Sequence, residues 1–223
     1  DIGLLLPTST AGILANMAVL ISGKTLINLN FTAAISAMQS AVKKANINTI
    51  VTSRRFIKKL KQKQSDIDVL LDGSKVIYLE DLQQEISKKE QILALIASYI
   101  LPTGLLIRFY GHTANIDQTA AILFSSGSEG EPKGVVLSHQ NIMGNIKQVS
   151  DVLDTRHDDV MVASLPLFHA FGLTVTGLLP MVEGIPAICH PDPTDVVNIA
   201  KGISQHQATV FCGTSTFLRL FNK

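Results

Sequence analysis

The sequence has 223 residues, of which 46% are hydrophobic and 17% are charged; this composition is typical of a folded chain and excludes extensive disorder. A net charge of +1, no Trp and only 3 Tyr and 9 Phe argue against a nucleic-acid-binding protein, which needs basic or stacking surfaces. Cys189 and Cys212 are too few for a disulfide framework, and no His or Cys spacing indicates a metal site. We therefore expect a reducing, cytoplasmic environment.

Short apolar strands alternate with longer helical segments in the first half of the sequence, which is the pattern of an α/β protein. Strands are predicted at residues 3–6, 26–29, 49–52 and 76–79. Small and apolar residues at helical spacing predict helices at 12–22 and 32–45, with Gly23 and Asn46 as their C-terminal stops.

The same alternation starts again after Gly111. Strands are predicted at 120–124, 135–137, 160–165, 187–189 and 209–211, and helices at 141–153, 171–182, 196–206 and 216–221. We therefore predict two Rossmann-like lobes, residues 1–112 and 113–223, each with a mainly parallel sheet flanked by helices. Because residue 1 is Asp, we expect a piece of a longer protein, with the first lobe incomplete at its start and the second at its end.

Three uncharged runs raise the question of membrane contact. Residues 2–23 and 160–182 are long enough to span a bilayer, but Pro and polar residues interrupt both, which favours buried strands, loops and helices. Residues 91–107 form a shorter run that contains Pro102 and suits a core or interfacial helix. We expect a soluble chain that is able to touch a bilayer, without a signal peptide.

Two segments of the sequence resemble each other. Leu6-Pro7 followed by Gly12 and an apolar helix is echoed by Leu165-Pro166 followed by Gly172 and an apolar helix. The echo suggests a duplication, although this order of elements is also common by chance in α/β proteins.

Basic residues are concentrated in residues 54–63, which hold two Arg and four Lys around Phe56, Ile57 and Leu60. Their spacing predicts an amphipathic helix. Its basic face is either a solvated surface or a docking surface for an acidic partner or an anionic lipid headgroup.

The segment from Ser125 to Gly134, SSGSEGEPKG, is the best candidate for a ligand-binding loop. It lies between two predicted strands and combines serine hydroxyls, flexible glycines and one lysine, which are groups that bind phosphate. Glu129 and Glu131 would repel phosphate unless they point outward, and the residues alone also fit an exposed turn. The spacing is not that of a Walker A loop.

This loop resembles the phosphate-binding signature of the AMP-binding, acyl-adenylate-forming superfamily. Three later segments, at 138–142, 165–172 and 213–216, resemble further motifs of that superfamily at matching distances. Within this superfamily, the motif sequences are most similar to the synthetase portion of bacterial bifunctional enzymes. These enzymes combine an acyl-[acyl-carrier-protein] synthetase with a 2-acylglycerophosphoethanolamine acyltransferase. We therefore expect part of the large N-terminal domain of an adenylate-forming enzyme.

The resemblance implies a ligase that converts ATP and a fatty acid to acyl-adenylate and then transfers the acyl group to a phosphopantetheine thiol. Its implied phosphate-binding residues are Ser125, Ser126, Gly127, Ser128, Gly130, Lys133 and Gly134. Lys133 and His169 are its implied catalytic residues. Its implied acyl and adenylate pocket is lined by Phe168, His169, Gly213 and Thr214. Without the flanking motif, the residues around His169 favour a packed histidine in an apolar turn; with Pro166 to Phe168 beside it, the resemblance favours the functional role.

The sequence lacks three motifs of the family. One binds adenine and Mg²⁺, one binds the ribose, and one supplies the lysine used in adenylation. We therefore expect these 223 residues alone to be inactive, with the Mg²⁺ ligands elsewhere. The thiol acceptor is either acyl carrier protein, which implies phospholipid turnover and membrane contact through absent domains, or CoA, as in a long-chain acyl-CoA synthetase. A non-catalytic nucleotide- or lipid-binding module is the remaining alternative.

Overall fold

The computed structural model describes residues 1–63, 66–125 and 132–222. The chain divides into two compact units. Unit 1 comprises Asp1–Leu6 and Ala15–His139, and unit 2 comprises Pro7–Leu14 and Gln140–Lys223.

Unit 1 is built on a six-stranded sheet with the order β4-β3-β1-β2-β5-β6. Its strands are β1 (Ile2–Leu5), β2 (Leu26–Asn28), β3 (Thr49–Thr52), β4 (Lys75–Tyr78), β5 (Thr119–Ser125) and β6 (Lys133–Ser138). The pairings among β1 to β5 are parallel, and β6 folds back against β5 as an antiparallel edge strand. The carboxyl ends of the first five strands therefore lie at one edge of the sheet.

In the described parts of the chain, seven helices lie between these strands. They are α1 (Thr10–Ile21), α2 (Ile35–Lys44), α3 (Arg54–Lys61), α4 (Ile67–Leu71), α5 (Leu79–Glu85), α6 (Lys88–Ile100) and α7 (Thr103–Tyr110). The backbone turns at the ends of α1 and α2 with positive φ at Gly23 and Asn46, as the sequence predicts.

The apolar faces of the strands and helices form the core of unit 1, with Leu5, Ile27 and Ile50 fully buried. The basic segment forms the predicted amphipathic helix α3, which begins at a Ser53 cap and buries Phe56, Ile57 and Leu60. Burial of side chains of this size stabilises a fold by about 1.5–3 kcal/mol each.

Unit 2 contains a three-stranded parallel sheet with the order β8-β7-β9. Its strands are β7 (Met161–Ala163), β8 (Ala187–Cys189) and β9 (Val210–Phe211). Its helical segments are α8 (His139–Leu153), a π-helix (Gly172–Leu178), α9 (Leu179–Glu183), α10 (Val196–His206), α11 (Ser215–Leu218) and a 3₁₀-helix (Arg219–Asn222).

The predicted α/β class with mainly parallel sheets flanked by helices is confirmed. The two compact units, however, divide the chain differently from the predicted lobes at 112 and 113. The difference arises because β5 and β6, predicted after that boundary, extend the sheet of unit 1 by pairing next to β2. Strand propensity does not indicate which sheet a strand joins. Among the described residues, no helix is both long and apolar enough to cross a bilayer.

Candidate functional site

The loop between β5 and β6 begins and ends at a paired position. Ser125 closes β5 and Lys133 opens β6, and the two residues lie opposite each other in the antiparallel register. The Ser125 hydroxyl donates a hydrogen bond of 3.5 Å to the carbonyl of Lys133. Ser125 also lies at the carboxyl edge of the parallel strands, where open α/β sheets bind their ligands. The hairpin thus carries the candidate loop at the edge where a ligand is expected.

The structure describes only the two ends of this loop. The predicted phosphate-binding residues outside the described ranges are Ser126, Gly127, Ser128 and Gly130. Of the others, Ser125, Lys133 and Gly134 are exposed, and Gly134 lies opposite Phe124 in the register. The serine hydroxyl and the lysine at the base of the loop are the donor types that an anionic phosphate needs.

A second lysine contacts the C-terminal end of the loop. Lys44, in the last turn of α2, donates a hydrogen bond of 3.2 Å from Nζ to the carbonyl of Pro132. Sequence reasoning missed this residue, because 88 positions separate the partners and no motif marks the pair. A cavity of about 90 Å³ lies beside the loop base, lined among others by Asn30, Met38, Phe124, Ser125 and Pro132.

In unit 2 the chain turns sharply after β7 and presents His169. Leu165, Leu167 and Phe168 are buried, whereas His169 is exposed. The His169 amide donates to the Pro166 carbonyl at 3.1 Å, and the rings of Phe168 and His169 lie 4.6 Å apart at their centroids. The buried apolar side chains therefore anchor a turn that holds the imidazole at the surface.

The protein around His169 shields part of its ring from water while the residue as a whole stays exposed, and this desolvation lowers the pKa of His169 below its ordinary value because it penalises the charged imidazolium. The imidazole is consequently neutral at pH 7, with one nitrogen that donates and one that accepts a hydrogen bond. A neutral imidazole of this kind suits contact with a carboxylate or an acyl carbonyl without forming an ion pair.

A buried π-helix follows the His169 turn directly. All seven of its residues are buried, and the Leu173 amide donates to the His169 carbonyl at 2.8 Å. A methyl group added at Gly172 would overlap the Pro166 carbonyl oxygen. π-Helical turns are rare and frequently occur at functional sites. Glycine is thus required here by close backbone approach, and it fixes the turn that carries His169.

The Pro7 turn also contains a glycine that the backbone approaches closely. A methyl group added at Gly12 would overlap the Pro7 carbonyl oxygen. The two turns of unit 2 are joined by a buried hydrogen bond of 2.7 Å from the Thr8 hydroxyl to the Leu165 carbonyl. This bond ties the start of α1 to the turn that carries His169.

The predicted pocket residues Gly213 and Thr214 follow β9 at the carboxyl edge of the unit 2 sheet. Gly213 lies close to Leu218: a Cβ added at Gly213 would be 3.1 Å from Leu218 Cδ2. Thr214 is exposed at the start of α11. Since β7 to β9 are parallel, the turn that carries His169 leaves the same edge. The sheet therefore gives these predicted residues a common edge.

His190 is a further histidine at this edge that sequence reasoning missed. It follows β8 directly, its Nδ1 lies 3.0 Å from the Asp192 carbonyl, and its Nε2 lies 3.5 Å from Asp195. A histidine immediately after a predicted parallel strand is the signal that could have found it. Within residues 1–63, 66–125 and 132–222, no group of three or more His, Cys, Asp or Glu is arranged to hold a metal ion.

Comparison with known proteins gives consistent matches. The model of the family described as AMP-binding enzyme matches residues 1–223. A medium-chain-fatty-acid–[acyl-carrier-protein] ligase of Moorena producens is 32% identical over 119 residues, 53% of this chain and 20% of that protein. A long-chain-fatty-acid–CoA ligase of Yersinia pestis is 33% identical over 107 residues, 47% of this chain and 18% of that protein.

Among solved structures, o-succinylbenzoate CoA synthetase of Bacillus subtilis superimposes with a TM-score of 0.77 at 19% identity. The match covers 99% of this chain and 40% of that enzyme. A structure of the same enzyme in complex with ATP and magnesium ion matches with a TM-score of 0.75 at 18% identity, covering 100% of this chain and 52% of that one. The chain therefore shares its fold with these enzymes and spans about half or less of their length.

Proposed function

Because this chain belongs to the family of AMP-binding enzymes, we propose that the full-length protein is an acid–thiol ligase for fatty acids that works through an acyl-adenylate. The observation that carries this proposal is the loop base at Ser125 and Lys133, set at the carboxyl edge of a parallel sheet. The fatty acid ligases similar to this chain support the substrate class.

In the first step, a carboxylate oxygen of the fatty acid attacks the α-phosphorus of ATP. The new acyl–phosphate bond forms as the bond between the α- and β-phosphates breaks, and pyrophosphate leaves with the electron pair. The loop from Ser125 to Gly134 would hold the β- and γ-phosphates, with Lys133 stabilising the charge that develops on pyrophosphate. Mg²⁺ would neutralise further phosphate charge.

In the second step, a thiol attacks the acyl carbonyl carbon and AMP leaves. We propose that His169 contacts the acyl carboxylate and adenylate, and that Phe168, Gly213 and Thr214 line the acyl pocket. Phe168 is buried, so its part is to fix the wall of the pocket and the orientation of the imidazole beside it.

The function is tested by incubating full-length protein with ATP, Mg²⁺, a radiolabelled fatty acid and either acyl carrier protein or CoA. We expect AMP and pyrophosphate in amounts equal to the thioester formed. Formation of ADP, or nucleotide cleavage that does not depend on the fatty acid, would contradict a ligase of this class.

The lowered pKa of His169 leads to a prediction about pH. As the pH falls through that pKa, the imidazole gains a proton and forms an ion pair with the fatty-acid carboxylate, which makes the attacking oxygen less nucleophilic, so kcat/KM for the fatty acid should fall. The midpoint should lie below the ordinary histidine value of about 6.5. The His169→Gln variant should have about tenfold lower kcat/KM, as expected for the loss of one hydrogen bond to the substrate, and no such acid limb.

His157→Gln provides a matched control, since His157 is also exposed in unit 2 and has no proposed role. Its pH profile should coincide with that of the unmodified enzyme. An acid limb that persists unchanged in His169→Gln would assign the titration to another group.

Lys44 leads to a prediction about nucleotide affinity. Lys44→Met removes the hydrogen bond to Pro132, which releases the C-terminal end of the loop. We expect KM for ATP to rise about threefold to tenfold, in line with the net contribution of one typical hydrogen bond, with little change in kcat. Lys43→Met removes an equal charge from the preceding, exposed position and should leave KM unchanged; an equal rise in both variants would contradict a positioning role for Lys44.

For the thiol acceptor we propose acyl carrier protein, with helix α3 as its docking surface. Arg54 and Lys61 form ion pairs with Asp81 and Asp68, whereas the neighbouring Lys58 and Lys59 are exposed on the same helix. An acidic carrier protein would be attracted to this face. This proposal makes the full-length protein an acyl-ACP synthetase that supplies acyl groups for 2-acylglycerophosphoethanolamine acylation. We place that reaction at the inner face of the cytoplasmic membrane.

Charge reversal separates the two acceptors. Lys58→Glu with Lys59→Glu should raise the carrier-protein concentration needed for half-maximal rate, without changing the rate of acyl-adenylate formation. The alternative acceptor is CoA, which the relative from Yersinia pestis favours. An unchanged carrier requirement, together with faster transfer to CoA, would favour that alternative.

A further inference from the structure

Helices α6 and α7 have almost no contact with the core of unit 1. Neither contains a buried residue, and every residue from 82 to 110 is exposed except the half-buried Ala97, Leu101 and Leu106. Ten large apolar side chains of this apolar helix pair are between 40% and 84% exposed: Ile92, Leu93, Leu95, Ile96, Tyr99, Ile100, Leu105, Ile107, Phe109 and Tyr110.

The large apolar side chains of α6 point away from the protein. At 100° per residue, the six exposed ones fall within an arc of about 160°. The opposite side of the helix carries small residues, including Ala94 and the half-buried Ala97. In an ordinary surface helix the apolar arc faces the core and the polar arc faces water. The reversed arrangement in α6 indicates a surface that is covered by something outside unit 1.

The beginning of α6 is well defined. The Ser87 hydroxyl accepts a hydrogen bond from the Glu90 amide at 3.2 Å, and Glu90 accepts one from the Ser87 amide at 2.8 Å. This capping box fixes the start of the helix and keeps its polar first turn apart from the apolar residues that follow.

The charges around the apolar helix pair are arranged as they are in segments that lie on a bilayer. No charged residue occurs between Glu90 and Arg108, and Lys88, Lys89 and Arg108 lie at the two ends of this run. Anionic lipid headgroups attract such flanking cations by about 1 kcal/mol each. Residues 1–112 hold 13 Lys and Arg against 8 Asp and Glu, a net charge of +5.

The aromatic side chains and the lengths of the two helices also suit a location at the surface of a bilayer. Tyr99, the most exposed at 84%, and Tyr110 combine an apolar ring with a hydroxyl, which suits the headgroup level of a bilayer. Pro102 separates two helices of 13 and 8 residues, each too short to span the hydrocarbon core. In α7 the exposed apolar side chains point in several directions around the helix, which fluid lipid chains accommodate more readily than one flat protein face.

We propose that the apolar helix pair lies in the interface of an anionic lipid bilayer, with its apolar side chains inserted to the depth of the headgroup–acyl boundary and Lys88, Lys89 and Arg108 at the headgroups. This surface belongs to unit 1 itself and does not depend on the proposed ligase chemistry. It would bring the enzyme to the phase in which long acyl chains are dissolved.

The test is flotation of full-length protein with phosphatidylcholine vesicles that contain about one third phosphatidylglycerol, an anionic lipid. The unmodified protein should float with the vesicles. Tyr99→Glu combined with Ile96→Glu should weaken the partition coefficient about tenfold or more, because two inserted apolar side chains become charged. Both positions are well exposed, so the variant should fold and retain acyl-adenylate formation in detergent solution.

Val152→Glu is the matched control, since Val152 is as exposed as Tyr99, at 84%, but lies in α8 of unit 2. It should float like the unmodified protein. Flotation of the Tyr99 and Ile96 variant to the same extent as the unmodified protein would overturn the proposal. The proposal would also be overturned if the unmodified protein stayed free of vesicles. If that protein were a dimer that the Tyr99 and Ile96 variant dissociates, the partner covering the helices would be a second copy of the protein.

Discussion

Lys133→Met should reduce fatty-acid-dependent exchange of labelled pyrophosphate into ATP by about 100-fold or more in the full-length enzyme, the usual cost of removing one preorganised charge-stabilising group. Lys133 begins β6 at the base of the loop, opposite Ser125. Its cation would stabilise the negative charge on the departing pyrophosphate. The substitution keeps the backbone pairing and the aliphatic stem, so the hairpin should remain folded.

Lys147→Met is the control for this substitution. Lys147 is 77% exposed in α8 and pairs with Asp151 one turn later, so its loss should change the exchange rate by less than twofold, as for most surface ion pairs. A Lys133→Met enzyme within threefold of the unmodified rate would exclude Lys133 from the chemistry.

Gly172→Ala should strongly destabilise unit 2. The added methyl group would overlap the Pro166 carbonyl oxygen and lie 2.7 Å from its carbonyl carbon, and a backbone group cannot move aside as a flexible side chain can. We expect the free energy of unfolding to fall by about 3 kcal/mol, at the upper end of the cost of overpacking. Urea denaturation followed by circular dichroism measures this change.

Gly144→Ala is the control, and we expect it to raise the free energy of unfolding rather than lower it. Gly144 lies within α8, and nothing lies within 4 Å of a Cβ added there. Alanine in a helix is more favourable than glycine by about 0.5–1 kcal/mol, so this variant should gain stability. Equal unfolding midpoints for Gly172→Ala and the unmodified protein would contradict the close packing of the turn that carries His169.

The elements that the sequence predicts well are those with a local signal. The alternation of short apolar strands with longer helical segments predicts the α/β class. The turn residues Gly23 and Asn46 mark helix ends that the structure confirms. The amphipathic spacing around Phe56, Ile57 and Leu60 predicts helix α3 correctly. Each of these features depends on residues within a few positions of one another.

The features that the sequence does not predict depend on distant or irregular contacts. The addition of β5 to the first sheet is set by pairing with β2 across more than 90 positions. The predicted helix at 171–182 is instead a π-helix followed by α9, with Pro180 in the first turn of the latter; apolar spacing does not distinguish these helix types.

The candidate site follows the same division. The loop from Ser125 to Gly134 and the turn around His169 can be found from their motifs, and their roles stay predictions. Lys44 could not be found, because its contact with Pro132 exists only in the folded chain. The sequence predicts either a core or an interfacial helix for the run at 91–107, and the absence of buried residues in α6 and α7 excludes the core.

The proposed ligase chemistry requires the base of the β5–β6 loop to hold the phosphates of ATP. The most direct measurement is the rate at which an amine-reactive reagent labels Lys133 in the full-length protein, followed by mass spectrometry. Saturating Mg²⁺-ATP should slow the labelling of Lys133 about tenfold, AMP should not, and exposed Lys58 should be labelled equally throughout. Labelling of Lys133 at the same rate with and without saturating ATP would contradict the account.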